Sequence, residues 1–585
     1  MSETQAANPA GSETDAVLPD LTEDRSFLGH PKGLAVLFFA EMWERFSFYG
    51  MRSLLTLYLV QHFLFSQDKA QGIYAAYGSL VYLTPVIGGL IADRFLGPRR
   101  AVFIGAIFLT AGHGMMAFEG HGSKSFIEFE NSRYEVVVEG RGETAKSFID
   151  DNGTLRPIRF SSEGIAVEGQ GTAPAQIDRG SYEQVIEREQ TYVNILFLAL
   201  SLIVVGVGFL KANISTMVGQ LYSDKDPRRD PGFTIFYIGI NTGSLAAYLL
   251  CGFLAYRYGW GYGFGAAGIG MALGLIVFVL GKPLLMGRGE PKITLKGGLI
   301  AATWLGGIVA LAPIYFAIQR DEFLSDVLTW GGPILYALLL AFTIFFYKAE
   351  VRTRMVVAIV LTFASVMFWA LFEQAGTSLT LYAANNSALP GVGPVQMNAA
   401  QVGFLNPFFI ILLGPVFAWL WIKLAKSGRE PSTPVKFSLG LAQVALGFFV
   451  LVWGATSFAS PVETADGTKY LVPFIFLAVA YLLHSTGELS LSPVGLSMIT
   501  KLAAPGVVGL MMGAWFLSSS LGHNLGGQIA KLSSTETVGG VVTDNEAQLS
   551  AYADTFMLAG YLGLGVAAVV LVMSPILKKW MAGIN

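Results

Sequence analysis

The chain has 585 residues, of which 53% are hydrophobic and only 14% charged. That balance is too apolar for a soluble protein of this length and puts the chain in a lipid bilayer. The formal net charge of -3 argues against a nucleic-acid partner, and Cys251, the only cysteine, leaves no intrachain disulfide and no cysteine metal cluster.

Residues 1–33 begin with Ala, Ser, Thr, Pro and acid, have no small-residue cleavage pattern, and read as a disordered tail, not a signal peptide. Apolar runs of about 20 residues then recur to the C-terminus, each long enough to cross a ~30 Å hydrocarbon core as a helix. They lack the two-residue alternation of a lipid-facing barrel, so an all-α membrane protein is expected. The spans fall at about 34–64, 72–92, 99–118, 192–221, 232–256, 261–281, 297–319, 327–347, 355–383, 401–422, 437–459, 470–499, 506–530 and 551–577, fourteen in all.

Basic residues sort sharply among the loops. One set, which includes Arg94, Arg99, Arg100, Arg228, Arg229, Lys292, Lys296, Arg352, Lys426 and Lys578, holds twenty Lys and Arg, whereas the short loops opposite hold Lys69, Arg257, Arg320, Lys469 and Lys531. Basic loops stay in the cytoplasm, so both termini are expected there. The polar stretch 119–191 then lies outside. Runs such as "SFIEFENSRYEVVVEG" make it a small β-rich soluble insertion, with 14 acidic and 8 basic residues.

Seven charges remain within the spans: Arg45, Arg52, Lys211, Glu41, Glu44, Glu373 and Glu488. Each costs roughly 2.5–3.5 kcal/mol at a helix centre unless it pairs or meets water. In "EMWERFSFYGMRS", positions 41, 44, 45, 49 and 52 fall within about 140° of one another at ~100° per residue, so Glu41, Glu44, Arg45, Tyr49 and Arg52 share one face, which must look into a cavity. Trp369 and Trp515 occur in polar spans and could wall a side-chain pocket. Asn241 and Asn406 carry amides suited to a backbone-like ligand or to interhelical hydrogen bonds. His484 lies one turn before Glu488, where it could relay protons but reads rather as a satisfied structural histidine; the other histidines lie at helix ends, in loops or in the insertion, or lack a carboxylate neighbour, and are assigned no role. The spans contain no His-x-x-x-His metal pair and no Ser/His couple with a carboxylate, so neither an enzyme nor a cofactor is expected.

"EMWERFSFYGMRS" resembles the E-x-x-E-R-F-x-[FY]-Y-G signature of the proton-dependent oligopeptide transporter (POT/PTR) family of the major facilitator superfamily. "FTIFYIGINTGSL" resembles that family's F-Y-x-x-I-N-x-G-S-L motif. "GGLIADRFLGPRR", "GFLKANIS", "FWALFEQAGTSL", "FLNPFFIILLGPVFAWLW" and "GELSLSPVGLSMITKLAAPGVVGLMMGAWFL" extend the match over nearly the whole chain except the tail and 119–191. The resemblance implies six-helix bundles at 34–281 and 355–585, two extra helices within 282–354, and rocking of the bundles about a site near the midplane.

Carried over by residue, the resemblance assigns Arg45 and Lys211 to the peptide carboxylate. Glu488, Asn241 and Asn406 take its amino group, and Tyr49, Tyr82, Trp369 and Trp515 the side-chain pockets. Glu373 facing Arg52 and Glu488 facing Lys211 would be cross-bundle ion pairs, with Glu41 and Glu44 on the proton route. The helix-2 histidine of animal members falls on Ala75. The expectation is a proton-coupled symporter importing di- and tripeptides across a bacterial inner membrane, with protons as the coupling ion. The alternatives are a carrier of nitrate or another small organic solute on the same fold, or a membrane-anchored receptor or structural protein acting through the insertion.

Overall fold

The computed structural model describes residues 19–140, 145–223, 225–291, 297–392, 395–504 and 506–583. Most of the expected disordered tail, residues 1–18, and the loop lysines Lys292 and Lys296 lie outside the described residues.

Six helices open the chain: α1 (Gly33–Gln61), α2 (Gln67–Ile91), α3 (Pro98–Met116), α4 (Gln190–Gln220), α5 (Arg229–Tyr258) and α6 (Trp260–Leu280). A helical hairpin follows, α7 (Gly297–Gln319) and α8 (Asp321–Phe346). The second bundle comprises α9 (Ala349–Phe372), α10 (Ser378–Asn386), α11 (Leu405–Lys426), α12 (Thr433–Ser457), α13 (Phe474–Leu502), α14 (Val508–Lys531) and α15 (Asn545–Trp580). With α9 and α10 taken as one broken span, these are the fourteen expected. Eleven are apolar enough to cross a membrane on composition alone. α1 misses that standard because of Glu41, Glu44, Arg45 and Arg52, which are buried inside the protein, away from lipid.

Helices of each bundle close on one another through small residues, as expected where lipid supplies no hydrophobic drive between them. Gly105 and Gly206 bring the α3 and α4 backbones into contact, and Gly440 and Gly487 do so for α12 and α13. α2 and α14 run together across the interface between bundles, and α5 meets α11. The hairpin lies outside, α7 against α4 and α8 against α2, α9 and α14. Its far faces carry exposed Trp330, Phe345 and Phe346, the side chains that belong in lipid.

Several boundaries depart from expectation: α9 and α15 each start six residues before the expected 355 and 551, and three further differences stand out. The ninth span is not continuous: α9 stops at Phe372, Glu373–Gly376 form a 3₁₀ turn, and α10 restarts after Thr377. Gly376 has no side chain to hold off the Tyr74 hydroxyl, which occupies the space a Cβ would need. Residues 470–473 are strand, not helix. The β-branched run up to Pro473 pairs as a hairpin, and α13 starts only after that proline. α8 starts six residues early, with Asp321 and Glu322 in its first turn, where carboxylates suit the helix dipole.

The insertion is β-rich as expected. Strands β1 (Lys124–Phe129), β2 (Ser132–Glu139), β3 (Lys146–Asp151), β4 (Thr154–Ser161), β5 (Gly164–Val167), β6 (Gln176–Asp178) and β7 (Glu183–Glu187) form one sheet in the order β6-β5-β4-β3-β2-β1-β7. Its core includes Ile127, Val136, Ile149, Ile158, Phe160, Ile165 and Ile177, joined from elsewhere by the buried Val538, with Val541 packed against it. Both valines sit on a small hairpin between α14 and α15, Thr537–Val538 paired with Val541–Val542. A second hairpin, Ser460–Thr464 with Gly467–Pro473, also reaches the insertion. The Ser147 N–H donates to the Asp466 carboxylate at 2.6 Å, and the Phe160 N–H donates to the Asp466 carbonyl at 2.9 Å. Arg179 pairs with Asp544 at 3.0 Å. The insertion grows from the first bundle and is fastened to loops of the second.

Candidate functional site

The site is assembled by α1, α2 and α4 of the first bundle and α9, α11, α13 and α14 of the second. On α1 the expected face exists. The Arg45 Nε lies 2.8 Å from Glu41 Oε1 and 2.7 Å from Glu44 Oε2, and all three side chains are buried. The Arg45 Nε is therefore engaged within its own helix.

Two turns on, Arg52 reaches the other bundle. Its guanidinium donates to the Glu373 carboxylate and to the Tyr74 hydroxyl and lies 5.8 Å from the Tyr49 ring centroid. Both partners of the bridge are buried, at 7% and 4% exposure, so the pair holds the bundles together in a medium where Coulomb attraction is little screened. The Thr56 hydroxyl, one turn further, donates to the Gly376 carbonyl at 2.6 Å and closes the same seam. At the insertion end of the seam Asp321, 2% exposed, takes Lys69 of α2 and Lys531 of α14 together.

The second expected bridge, Lys211 with Glu488, is not formed. The Lys211 ammonium lies 3.5 Å from the centroid of the Tyr82 ring, with no carboxylate within ion-pair distance among the described residues. Glu488 accepts from Asn406 Nδ2 at 3.0 Å, and that amide also reaches Ser485 Oγ at 3.1 Å. The two charges sit on opposite bundles, each on a neutral partner. Asn241 donates to the Tyr237 carbonyl of its own helix at 3.0 Å. Trp369 and Trp515 pack edge to face at 6.5 Å, with Trp515 against Gly495, and Tyr49 lies 5.8 Å from Tyr248. His484 packs on Phe448 and Gly447, and its Nε2 is buried without a hydrogen-bond partner among the described residues.

A family model described as "POT family" matches residues 99–543. The chain belongs to the POT family. A relative named "Uncharacterized transporter YclF" from Bacillus subtilis (strain 168) is 32% identical over 98% of this chain and all of its own. The "Di-/tripeptide transporter" of Lactococcus lactis subsp. lactis (strain IL1403) is 31% identical over 95% of this chain and 97% of its own. Among solved structures, a peptide transporter POT in complex with sulfate superposes with a TM-score of 0.72, at 32% identity, covering 96% of this chain and 98% of its own. A mutant of that transporter in complex with alafosfalin matches equally well. The fold is the two-bundle arrangement of these POT transporters, and in this chain the sheet lies between α3 and α4.

Three residues of the site escaped the sequence reading. His523, taken to have no carboxylate neighbour, puts Nε2 3.4 Å from Glu373 Oε2. Its signal was the run Ser518, Ser519, Ser520, His523, Asn524, too polar for a lipid-facing stretch of α14. Tyr74 follows no motif. Asp321 passed for a loop residue because it stands where α7 gives way to α8.

Proposed function

We propose that this POT-family chain is a proton-coupled symporter importing di- and tripeptides by alternating access. The observation that carries the reading is that Lys211 in one bundle and Glu488 in the other each lack a counter-ion among the described residues, Lys211 lying on the Tyr82 ring and Glu488 on the Asn406 amide. A zwitterionic peptide supplies both, its carboxylate to Lys211 and its ammonium to Glu488, with Asn406 and Asn241 on the backbone amides. Binding then draws the bundles together through the ligand. The aromatic walls Tyr49, Tyr82, Trp369 and Trp515 set a pocket defined by shape more than by specific polar contacts, which suits varied side chains.

Proton coupling follows from Arg52 and Glu373. A buried carboxylate exchanges a salt-bridge partner for a proton, and the neutral acid no longer holds the guanidinium, so the seam at the insertion end can open. Glu41 and Glu44, buried with oxygens that have no hydrogen-bond partner among the described residues, are further sites where a proton relieves charge. The basic-loop pattern supports an orientation in a bacterial inner membrane with both termini in the cytoplasm and the insertion outside.

The test is uptake of labelled dialanine by reconstituted protein under an inward proton gradient. Gradient-dependent accumulation, inhibited by unlabelled dipeptides and not by nitrate, is expected. Uptake that persists unchanged after the gradient collapses would overturn the proton-coupled reading.

A further inference from the structure

His523 stands beside the Arg52–Glu373 ion pair, which joins the two bundles. Its Nδ1 is 3.0 Å from the Ser519 carbonyl, one turn back on α14. A carbonyl only accepts, so Nδ1 carries a hydrogen and, in the neutral ring, Nε2 is left with a lone pair. That lone pair looks at Glu373 Oε2 from 3.4 Å, longer than a hydrogen bond, as expected for two acceptors face to face. The same Oε2 receives the Arg52 guanidinium. His523 is buried, and the absent side chain of Gly78 on α2 makes the room its ring occupies.

We propose that His523 is the residue that admits a proton to the Arg52–Glu373 bridge. Protonated at Nε2, the imidazolium donates to Oε2 and becomes a second cation on the oxygen that Arg52 holds. Passing that proton on to Oε2 returns the ring to neutrality and leaves a carboxylic acid whose O–H donates to Nε2. At that point Arg52 has lost its counter-ion and keeps only Tyr74. The step breaks one N–H bond and makes one O–H bond, with the proton drawn from the gradient. The ring is also tied to the ligand site: Tyr82 lies 4.9 Å from it, and the Lys211 ammonium lies 3.5 Å from the centroid of that same Tyr82 ring. A peptide carboxylate that draws Lys211 off Tyr82 therefore changes the field at His523, which couples cargo to proton entry.

The groups that face His523 are few. α2 presents Tyr82, the 3₁₀ turn after α9 presents Glu373, and α1 acts through Arg52 on that same carboxylate. On α8, Asp321 is occupied by Lys69 and Lys531, the latter two turns, or about 12 Å, further along α14. Glu488 of α13 is held by Asn406, and Tyr552 of α15 packs on Tyr382.

The inference rests on the proton-coupled reading, and the experiment separates the two. Gradient-driven dialanine uptake is measured against external pH for wild type and His523→Gln, alongside counterflow exchange, which needs no net proton movement. The expected result is counterflow within about twofold of wild type and a shift of about one pH unit or more in the acidic limb of driven uptake, since a titrating neighbour of Glu373 has been replaced by one that does not titrate. Coincident pH profiles would overturn the inference while leaving wild-type coupling intact, whereas wild-type uptake indifferent to the gradient removes the reading beneath it. Should His523→Gln fail to reach the membrane, Gly78→Ala, whose new Cβ displaces the ring, must move the same limb. A ring that merely fills space would alter yield and leave the pH profile where it was.

Discussion

Opening at the insertion end must unfasten the sheet from the second bundle, and the strength of that fastening can be worked out. Asp466 is 6% exposed and receives the Ser147 N–H at 2.6 Å, a charge-assisted bond worth about 2 kcal/mol. Val538, fully buried in the insertion's core, loses two methyl groups on truncation to alanine, about 2 kcal/mol. The exposed Arg179 pairs add at most about 1 kcal/mol each and are neglected. The two contacts lie on separate hairpins, so their effects should add, and Asp466→Ala with Val538→Ala should favour the opened state by about 4 kcal/mol, roughly a thousandfold in population. Spin labels at Asp68→Cys and Ala388→Cys, both exposed and on opposite bundles, would report the separation, since the only native thiol, Cys251, is buried. The double variant should gain a long-distance population that the parent lacks. An unchanged distance distribution would refute the reasoning, meaning that the sheet travels with the second bundle or that its contacts re-form in both states.

Other consequences are simpler. Glu373→Gln leaves Arg52 buried without a counter-charge, a loss of about 3–5 kcal/mol on breaking one side of such a pair, and should abolish gradient-driven uptake while counterflow persists; driven uptake at the wild-type rate would contradict it. Asp321→Asn removes the partner of two lysines that are about a third exposed and can turn to water, so the loss is only about 1–2 kcal/mol and appears as a modestly lower thermal midpoint. Asp151 in the insertion accepts from the Thr172 hydroxyl, the Ala173 N–H and the Arg156 guanidinium, which hold its carboxyl well below the usual range. A depressed folded-state value stabilises above the unfolded value of about 3.9 and is lost as pH falls below it, so amide exchange in β3 and β4 should quicken only in strong acid, and Asp151→Asn should remove that dependence.

What was legible in the sequence was whatever an apolar background makes conspicuous. Arg52 and Glu373 stood out because ionised groups in lipid demand a partner, and the structure makes them partners across 321 residues of chain. Lys211 and Glu488 stood out for the same reason, but composition says only that each needs stabilising, and here a ring face and an amide provide it. His523 was hidden because a histidine is tolerable in a span when neutral, so only its distance to Glu373 reveals it. The break at Glu373–Gly376 was hidden too: it depends on Tyr74 packing from another helix, which no local propensity encodes. The insertion's strands could be read from β-branched runs, but its fastening could not, because Val538 and Asp466 lie hundreds of residues away and look like ordinary loop residues.

Asp321 has two lysines, one on each side of the seam. If the bundles part, the acid can leave with either one, and no carboxylate is stranded in a dry interior. The surplus cation, Lys69 or Lys531, is close enough to the surface to hydrate. A one-to-one pair in the same place would have to be broken outright at every turnover. Two donors sharing one acceptor let the hairpin helix change allegiance at little electrostatic cost, like a baton kept in one hand while the other lets go.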